Sequence, residues 1–143
     1  MPTRAHVLIG SESLLVHCGS ALLDAGHSVA AVVSESPEIS AWAESRKLKS
    51  LATVAELEAD TSLRYDVLFS VGNLTIIPPS VLRRATVGGI NFHDGPLPEM
   101  GGLNTPAWAI LRQHPEHGIT WHWMTDSVDS GAIIAQRRFR IAD

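Results

Sequence analysis

Short apolar runs alternate with amphipathic segments along this chain. Uninterrupted runs such as 29–33 and 66–71 are typical of strands buried on both faces of a parallel sheet. Segments such as 11–24 carry apolar residues three and four positions apart, which indicates helices. The predicted strands are 6–10, 29–33, 48–51, 66–71, 88–93, 118–124 and 132–141, and the predicted helices are 11–24, 38–47, 53–59, 78–84 and 105–111.

This order of elements predicts the fold class. Strands separated by helices favour an α/β fold with a doubly wound, Rossmann-like, mostly parallel sheet and helices on both faces. We expect a single domain, 1–143, because the length leaves little room for two. Since such a sheet usually continues with a helix, we also expect a chain truncated at its C-terminus, a piece of a longer protein. Ligands of such sheets bind beyond the carboxyl ends of the strands, which here are 10–13, 71–77 and the segment from 93 onward.

Composition narrows the classes of function. The net charge is −4, which disfavours nucleic acid as a partner. No stretch approaches the roughly 18 apolar residues that cross a bilayer, and no signal-peptide layout is present, so we expect a cytoplasmic protein without membrane contact. The single cysteine, Cys18, excludes an internal disulfide framework. His114 and His117 lack a third ligand nearby, so no metal site is expected.

Three polar residues carry the candidate chemistry. Asn91 and His93 share one side of a predicted strand and lie at its carboxyl end. An amide can stabilise a developing oxyanion, and an imidazole can give or take a proton. Asp129, in a predicted turn, could add a carboxylate that accepts a proton from an amine. The set suits attack of an amine on an acyl carbon, although each residue alone is also typical of a strand end or a turn.

Four motifs follow one another between residues 91 and 133. They are Asn91-x-His93, Leu97-Pro98, Gly118-Ile119-Thr120-x-His122 and Val128-Asp129-x-Gly131-x-Ile133. Together they resemble the formyltransferase family that uses 10-formyltetrahydrofolate. The resemblance extends from residue 6 to about residue 141, and it is densest between 88 and 136.

The resemblance implies roles for individual residues. Asn91 would bind the formyl oxygen, His93 and Asp129 would be the catalytic histidine and aspartate, and His122 would support the aspartate loop without itself being catalytic. The formyl donor, 10-formyltetrahydrofolate, would be held by two loops. The implied donor-binding residues are Leu74, Thr75, Ile76, Ile77, Met124, Asp126, Ser127 and Val128.

Departures from the family pattern point to a subtype. Asp94 follows the histidine where many members have a serine shortly after it, and Glu12 lies in the first loop, where purine-pathway members bind a phosphate. The phrases 91–98 and 102–108 most resemble formyltransferase domains of peptide and polyketide synthetases. That resemblance implies an aminoacyl group on a carrier protein as the amine acceptor and downstream synthetase domains as partners.

Two other functions remain open at this stage. The altered segment after His93 and the short C-terminus also fit a non-catalytic docking or structural domain of a synthetase. A formyltetrahydrofolate hydrolase is the third hypothesis, because the family's deformylases share the same site and use water in place of the amine.

Overall fold

The computed structural model describes residues 3–141 and forms an α/β fold. The elements are β1 (Ala5–Ile9), α1 (Leu14–Asp24), β2 (Ser28–Val33), α2 (Pro37–Ser45), β3 (Ser50–Leu51), α3 (Val54–Ala59), β4 (Tyr65–Val71), α4 (Pro79–Leu82), β5 (Ala85–His93), α5 (Thr105–Leu111), β6 (Glu116–Trp123) and β7 (Ile133–Arg140). The contacts divide the chain into two compact units, 1–89 and 90–143, with the division inside β5.

The first unit is built on strands in the order β3-β2-β1-β4-β5, and β3, β2, β1 and β4 pair in parallel. β1 pairs in parallel with both β2 and β4, so its side chains Val7 and Leu8 are completely buried. The chain moves outward from β1 to β3 and then returns to the other side of β1. This reversal creates a crevice beyond the carboxyl ends of β1 and β4, the place where ligands of such sheets bind.

Glycine allows the close approach at that crevice. A Cβ on Gly10, just after β1, would lie 1.7 Å from the Val71 carbonyl oxygen at the end of β4. Ser11 continues the contact, because its backbone N–H and its hydroxyl both donate to the Gly72 carbonyl. The segment 10–13 is therefore tied to β4 as a loop, and α1 begins at Leu14 rather than at the predicted Ser11.

The second unit contains the end of β5 with α5, β6 and β7, and its strands pair antiparallel in the order β5-β6-β7. Thr120 on β6 is fully buried and anchors the turn that follows β5. Its hydroxyl donates to the Gly95 carbonyl at 2.7 Å and accepts from the Leu97 N–H at 3.2 Å. Gln136 on β7 donates to both that hydroxyl and the Leu97 carbonyl. The buried hydrogen bonds give this turn one conformation.

The predicted α/β, Rossmann-like fold class is confirmed. The sheet is mixed, with parallel pairs in the first unit and antiparallel pairs in the second. Differences are confined to element ends: α2, for example, ends at Ser45 instead of residue 47, because Lys47 adopts a left-handed backbone with φ of 58°. None of the helices in the described part of the chain is long and apolar enough to cross a bilayer.

Candidate active site

β5 and β6 bring the predicted polar residues of the second unit together. Their register pairs Asn91 with His122 and His93 with Thr120. Since side chains alternate along a strand, these four share one face of the sheet. His93 and His122 are buried, with 6% and 2% of their surface exposed.

His93 is held by the backbone of the segment that follows it. Its Nε2 lies 2.6 Å from the Met100 carbonyl oxygen, and a carbonyl only accepts, so Nε2 carries a hydrogen. Gly95 makes this contact possible, because a Cβ there would lie 2.7 Å from the Met100 oxygen and 3.0 Å from Nε2. Nδ1 is therefore the ring nitrogen of His93 that can change its protonation.

Asp129 presents one carboxylate oxygen to that nitrogen. Its Oδ1 lies 3.6 Å from His93 Nδ1, while its Oδ2 accepts a hydrogen bond from the Gly102 N–H at 2.9 Å. The backbone of Asp129 is left-handed, with φ of 54°. That conformation is sparsely populated by residues other than glycine and costs roughly 1–3 kcal/mol. Its cost is offset by the loop around it.

The loop 124–131 is braced by its own hydroxyl groups. Thr125 Oγ1 and Ser130 Oγ each lie within hydrogen-bond distance of the Ser127 carbonyl and lie 2.9 Å from each other, so their two hydrogens are shared among three contacts. At the end of the loop, a Cβ on Gly131 would lie 1.7 Å from the Trp123 carbonyl oxygen. Internal bonding and this close approach together fix where Asp129 sits in the second unit.

His122 connects the aspartate to the asparagine. Its Nε2 lies 3.7 Å from Asp129 Oδ1 and 3.2 Å from Asn91 Nδ2. Its Nδ1 lies 3.0 Å from the Trp123 carbonyl oxygen. The second unit thus holds an amide, two imidazoles and a carboxylate in a continuous arrangement, which can stabilise an oxyanion and move a proton.

The residues predicted to hold the donor lie in two loops, one in each unit. In the first unit, Leu74 and Ile76 are more than 80% exposed, whereas Ile77 is buried. Asn73 braces this loop, because its side chain bonds to both the N–H and the carbonyl of Thr75. In the second unit, Asp126, Ser127 and Val128 are exposed and Met124 is half-buried.

Sequence reasoning missed the groups that hold the catalytic candidates. The Met100 carbonyl and the Gly102 N–H belong to the backbone, so no side-chain pattern identifies them. Thr120 and Gln136 are polar residues on strands, but their roles depend on the register of β6 with β7. The pair Gly101-Gly102 was the available signal, since φ at Gly102 is 92°.

His114 and His117 differ in their surroundings. His114 is exposed, while His117 is buried and its Nε2 donates to the Asp94 carbonyl at 2.7 Å. Within residues 3–141, no group of three or more His, Cys, Asp and Glu side chains is arranged to hold a metal ion.

Comparison with known proteins shows the family. The family model described as formyl transferase matches residues 16–143, and the chain belongs to that family. It is 33% identical over 78 residues to GDP-perosamine N-formyltransferase of Brucella melitensis biotype 1, covering 54% of this chain and 30% of that protein. It is also 33% identical over 110 residues to methionyl-tRNA formyltransferase of Synechococcus sp. (strain JA-3-3Ab), covering 77% and 33%. The matched regions span about a third of the length of these relatives.

Solved structures agree on the fold. Glycinamide ribonucleotide transformylase 1 from Symbiobacterium toebii superposes with a TM-score of 0.86 at 19% identity, covering 99% of this chain and 75% of that chain. HypX from Aquifex aeolicus in complex with tetrahydrofolic acid superposes with a TM-score of 0.76 at 19% identity, covering 99% and 22%. Both likenesses show that this chain has the same α/β fold as these two proteins.

Proposed function

We propose that this chain is a catalytic domain that transfers a formyl group from 10-formyltetrahydrofolate to an amine. The observation that carries the proposal is the cluster in the second unit, where Asp129 Oδ1 lies 3.6 Å from His93 Nδ1 and Asn91 shares the face of the sheet that carries His93. Membership of the formyl transferase family supports the reaction class.

The residues fit the demands of acyl transfer. As an amine adds to the formyl carbon, the formyl oxygen gains negative charge, and the Asn91 amide donates a hydrogen bond to it. His93, held at Nε2 by the Met100 carbonyl, and Asp129, whose Oδ1 is 3.6 Å from Nδ1, act together as the group that accepts and donates protons. This pair takes the proton that the attacking nitrogen releases and supplies one to the departing nitrogen of the donor. A new C–N bond forms, the old one breaks, and the proton count balances.

A loop of the first unit, residues 73–77, is suited to hold a folate-type donor. Leu74 and Ile76 present apolar side chains to solvent from a loop that Asn73 keeps in shape. Exposed apolar side chains on a braced loop suit the flat face of a pterin ring. The structural neighbour in complex with tetrahydrofolic acid supports a donor of this class. When bound, the donor supplies the formyl carbon.

For the acceptor, we propose an aminoacyl group on a carrier protein, with downstream synthetase domains as partners. Support comes from the likeness of segments 91–98 and 102–108 to synthetase domains and from two acidic side chains. Asp94 is exposed beside His93, where it favours a cationic amine. Glu12 contacts the Gly72 region in the first unit, where its carboxylate disfavours a phosphate. The relatives named above act on other amines, so the acceptor is tested directly.

The test incubates the purified chain with 10-formyltetrahydrofolate and a panel of amines, and it measures tetrahydrofolate and formylated product. The panel contains a carrier-bound aminoacyl group, an amino-sugar nucleotide and methionyl-tRNA. Formylation that is lost in His93→Ala and kept in His114→Ala, a matched substitution of an exposed histidine, supports the proposal. Free formate without an amine would indicate the hydrolase instead. If the folded chain neither forms product nor binds the donor, the result would favour the hypothesis of a non-catalytic docking domain.

A further inference from the structure

The hydrogen-bond partners of His122 determine its tautomer. Nδ1 lies 3.0 Å from the Trp123 carbonyl oxygen, which only accepts, so Nδ1 carries the hydrogen of the neutral ring. Nε2 then presents a lone pair. The atom that faces this lone pair is Asn91 Nδ2 at 3.2 Å, which donates to it. Because His122 is 2% exposed, bulk water does not compete for either nitrogen.

This tautomer decides which end of the Asn91 amide faces the site. In the opposite orientation, the amide oxygen would lie against the Nε2 lone pair, and two acceptors would face each other in a buried place. Two facing acceptors are left unsatisfied, which favours the donor orientation by a factor of about five or more. An amide nitrogen has two hydrogens. One binds His122, and the second remains available to donate elsewhere.

We propose that His122 is a positioning residue that keeps the Asn91 amide in the donor orientation, so that its second N–H meets the formyl oxygen. This rests on the formyl transfer proposed above, and it assigns to His122 a role distinct from supporting the aspartate loop. His122 does not touch the reacting atoms; it acts through Asn91.

The arrangement around His122 requires that Nε2 carry no proton. The groups that face its Nε2 are Asn91 on β5 and the Asp129 carboxylate, whose Oδ1 is 3.7 Å away; His93 lies on the far side of that carboxylate. A proton on Nε2 would be directed between the carboxylate and the amide. The amide would then turn its oxygen toward His122, and the formyl oxygen would lose its donor. The neutral Nδ1–H tautomer is thus the competent one.

Nuclear magnetic resonance tests the orientation without any substrate. The sequence has three Asn and two Gln residues, so the side-chain amide region of a ¹⁵N spectrum contains five pairs of signals, and Asn91→Ala identifies the relevant pair. We expect His122→Leu to shift the Asn91 pair and His122→Gln, whose carbonyl can accept the same bond, to leave it near its wild-type position. Unchanged Asn91 signals in His122→Leu would overturn the proposal.

Ring-nitrogen shifts of the wild-type protein test the tautomer even if the leucine variant does not fold. We expect the His122 signals of an Nδ1–H imidazole, assigned by their loss in His122→Gln. An Nε2–H tautomer at neutral pH would contradict the proposal. Neither measurement needs an active enzyme, so failure of the proposed formyl transfer is distinguished from failure of this inference.

Kinetics then test the functional consequence. We expect His122→Leu to lower kcat by up to about 10², toward the loss of an oxyanion donor, with little change in KM. His122→Gln should recover most of that loss, whereas a role in packing alone would give both variants the same kcat. The exposed His114→Gln is the matched control, and we expect it to have wild-type kinetics.

Discussion

Two buried histidines, one in each unit, differ in the hydrogen bonding of their ring nitrogens. His122, in the second unit, has partners for both nitrogens and lies beside a carboxylate. His6, on β1 in the first unit, is 3% exposed, and neither of its ring nitrogens has a hydrogen-bond partner among the described residues. It contacts the rings of His27 and Phe69 instead, with centroid distances of 5.0 and 5.5 Å.

The difference separates two uses of the same side chain. A ring with both nitrogens bonded has one tautomer and one orientation, which suits a residue that positions chemistry. A ring with unbonded nitrogens fills space, and its burial opposes protonation. Changes near His122 should therefore alter activity with little effect on stability, and changes near His6 should do the reverse.

The largest expected effect on activity is that of Asn91→Ala. This variant removes the proposed oxyanion donor, and we expect kcat to fall by about 10²–10³ while the melting temperature changes little. Steady-state kinetics beside thermal unfolding measure the two quantities. If the variant lost stability and activity in parallel, the contrast between the surroundings of His122 and those of His6 would be contradicted.

The largest expected effect on stability is that of Gly10→Ala in the first unit. The new Cβ would meet the Val71 carbonyl at 1.7 Å, so the ends of β1 and β4 must separate, and we expect a loss of about 3 kcal/mol. Gly26→Ala is the control, because Gly26 has φ of 81° and open space around it. That variant is destabilised only by placing a residue with a Cβ in a left-handed backbone, which costs about 1 kcal/mol. Equal losses in chemical denaturation would argue against the close approach.

His6 gives the first unit a pH dependence. Burial, followed by the nearby His27, lowers the pKa of His6 below its usual 6.5, while Asp66 acts in the opposite direction. Between the lowered pKa and 6.5, the unfolded chain therefore binds a proton at His6 that the folded chain does not bind. The free energy of unfolding falls as the pH drops below 6.5 toward the lowered pKa. We expect His6→Phe to flatten the curve of unfolding free energy in that window. The exposed His17→Phe should leave the slope unchanged.

The smallest expected effect is that of Arg138→Gln at the rim of the second unit. Arg138 pairs with Glu99 at 2.6 Å, but the two side chains are 45% and 55% exposed. Solvent screens such a pair, so we expect a loss below about 0.5 kcal/mol that disappears in high salt. A loss of several kcal/mol would mean that the second unit depends on its surface more than on the buried bonds of Thr120.

Local patterns predicted the elements that local physics determines. The apolar runs of β2 and β4 placed these strands within about one residue, because strands buried on both faces are mostly apolar, and the predicted bounds of α5 also agree with the structure. The start of α1 was missed because Ser11 is bonded to Gly72, a contact that depends on the fold.

The candidate site was predictable only as a set of side chains. Parity placed Asn91 and His93 on one face, and the strand register confirms it. The approach of Asp129 to His93 needs a left-handed residue 36 positions further along and a backbone donor at Gly102. Tertiary contacts of this kind are not encoded in any local spacing, so the residues alone offered Asp129 only as a turn carboxylate that could reach the site, and the family resemblance implied its catalytic role.

The clamp on His93 has a consequence for how this domain can diverge. It is made by the carbonyl of Met100, and every amino acid presents a carbonyl. Position 100 can therefore change its side chain freely while the function of that residue is conserved. Gly95, in contrast, admits no Cβ without displacing the clamp. In sequences that diverge from this one, we expect position 100 to vary and Gly95 to be retained. A search for invariant residues would therefore overlook the Met100 carbonyl oxygen, the atom that orients His93.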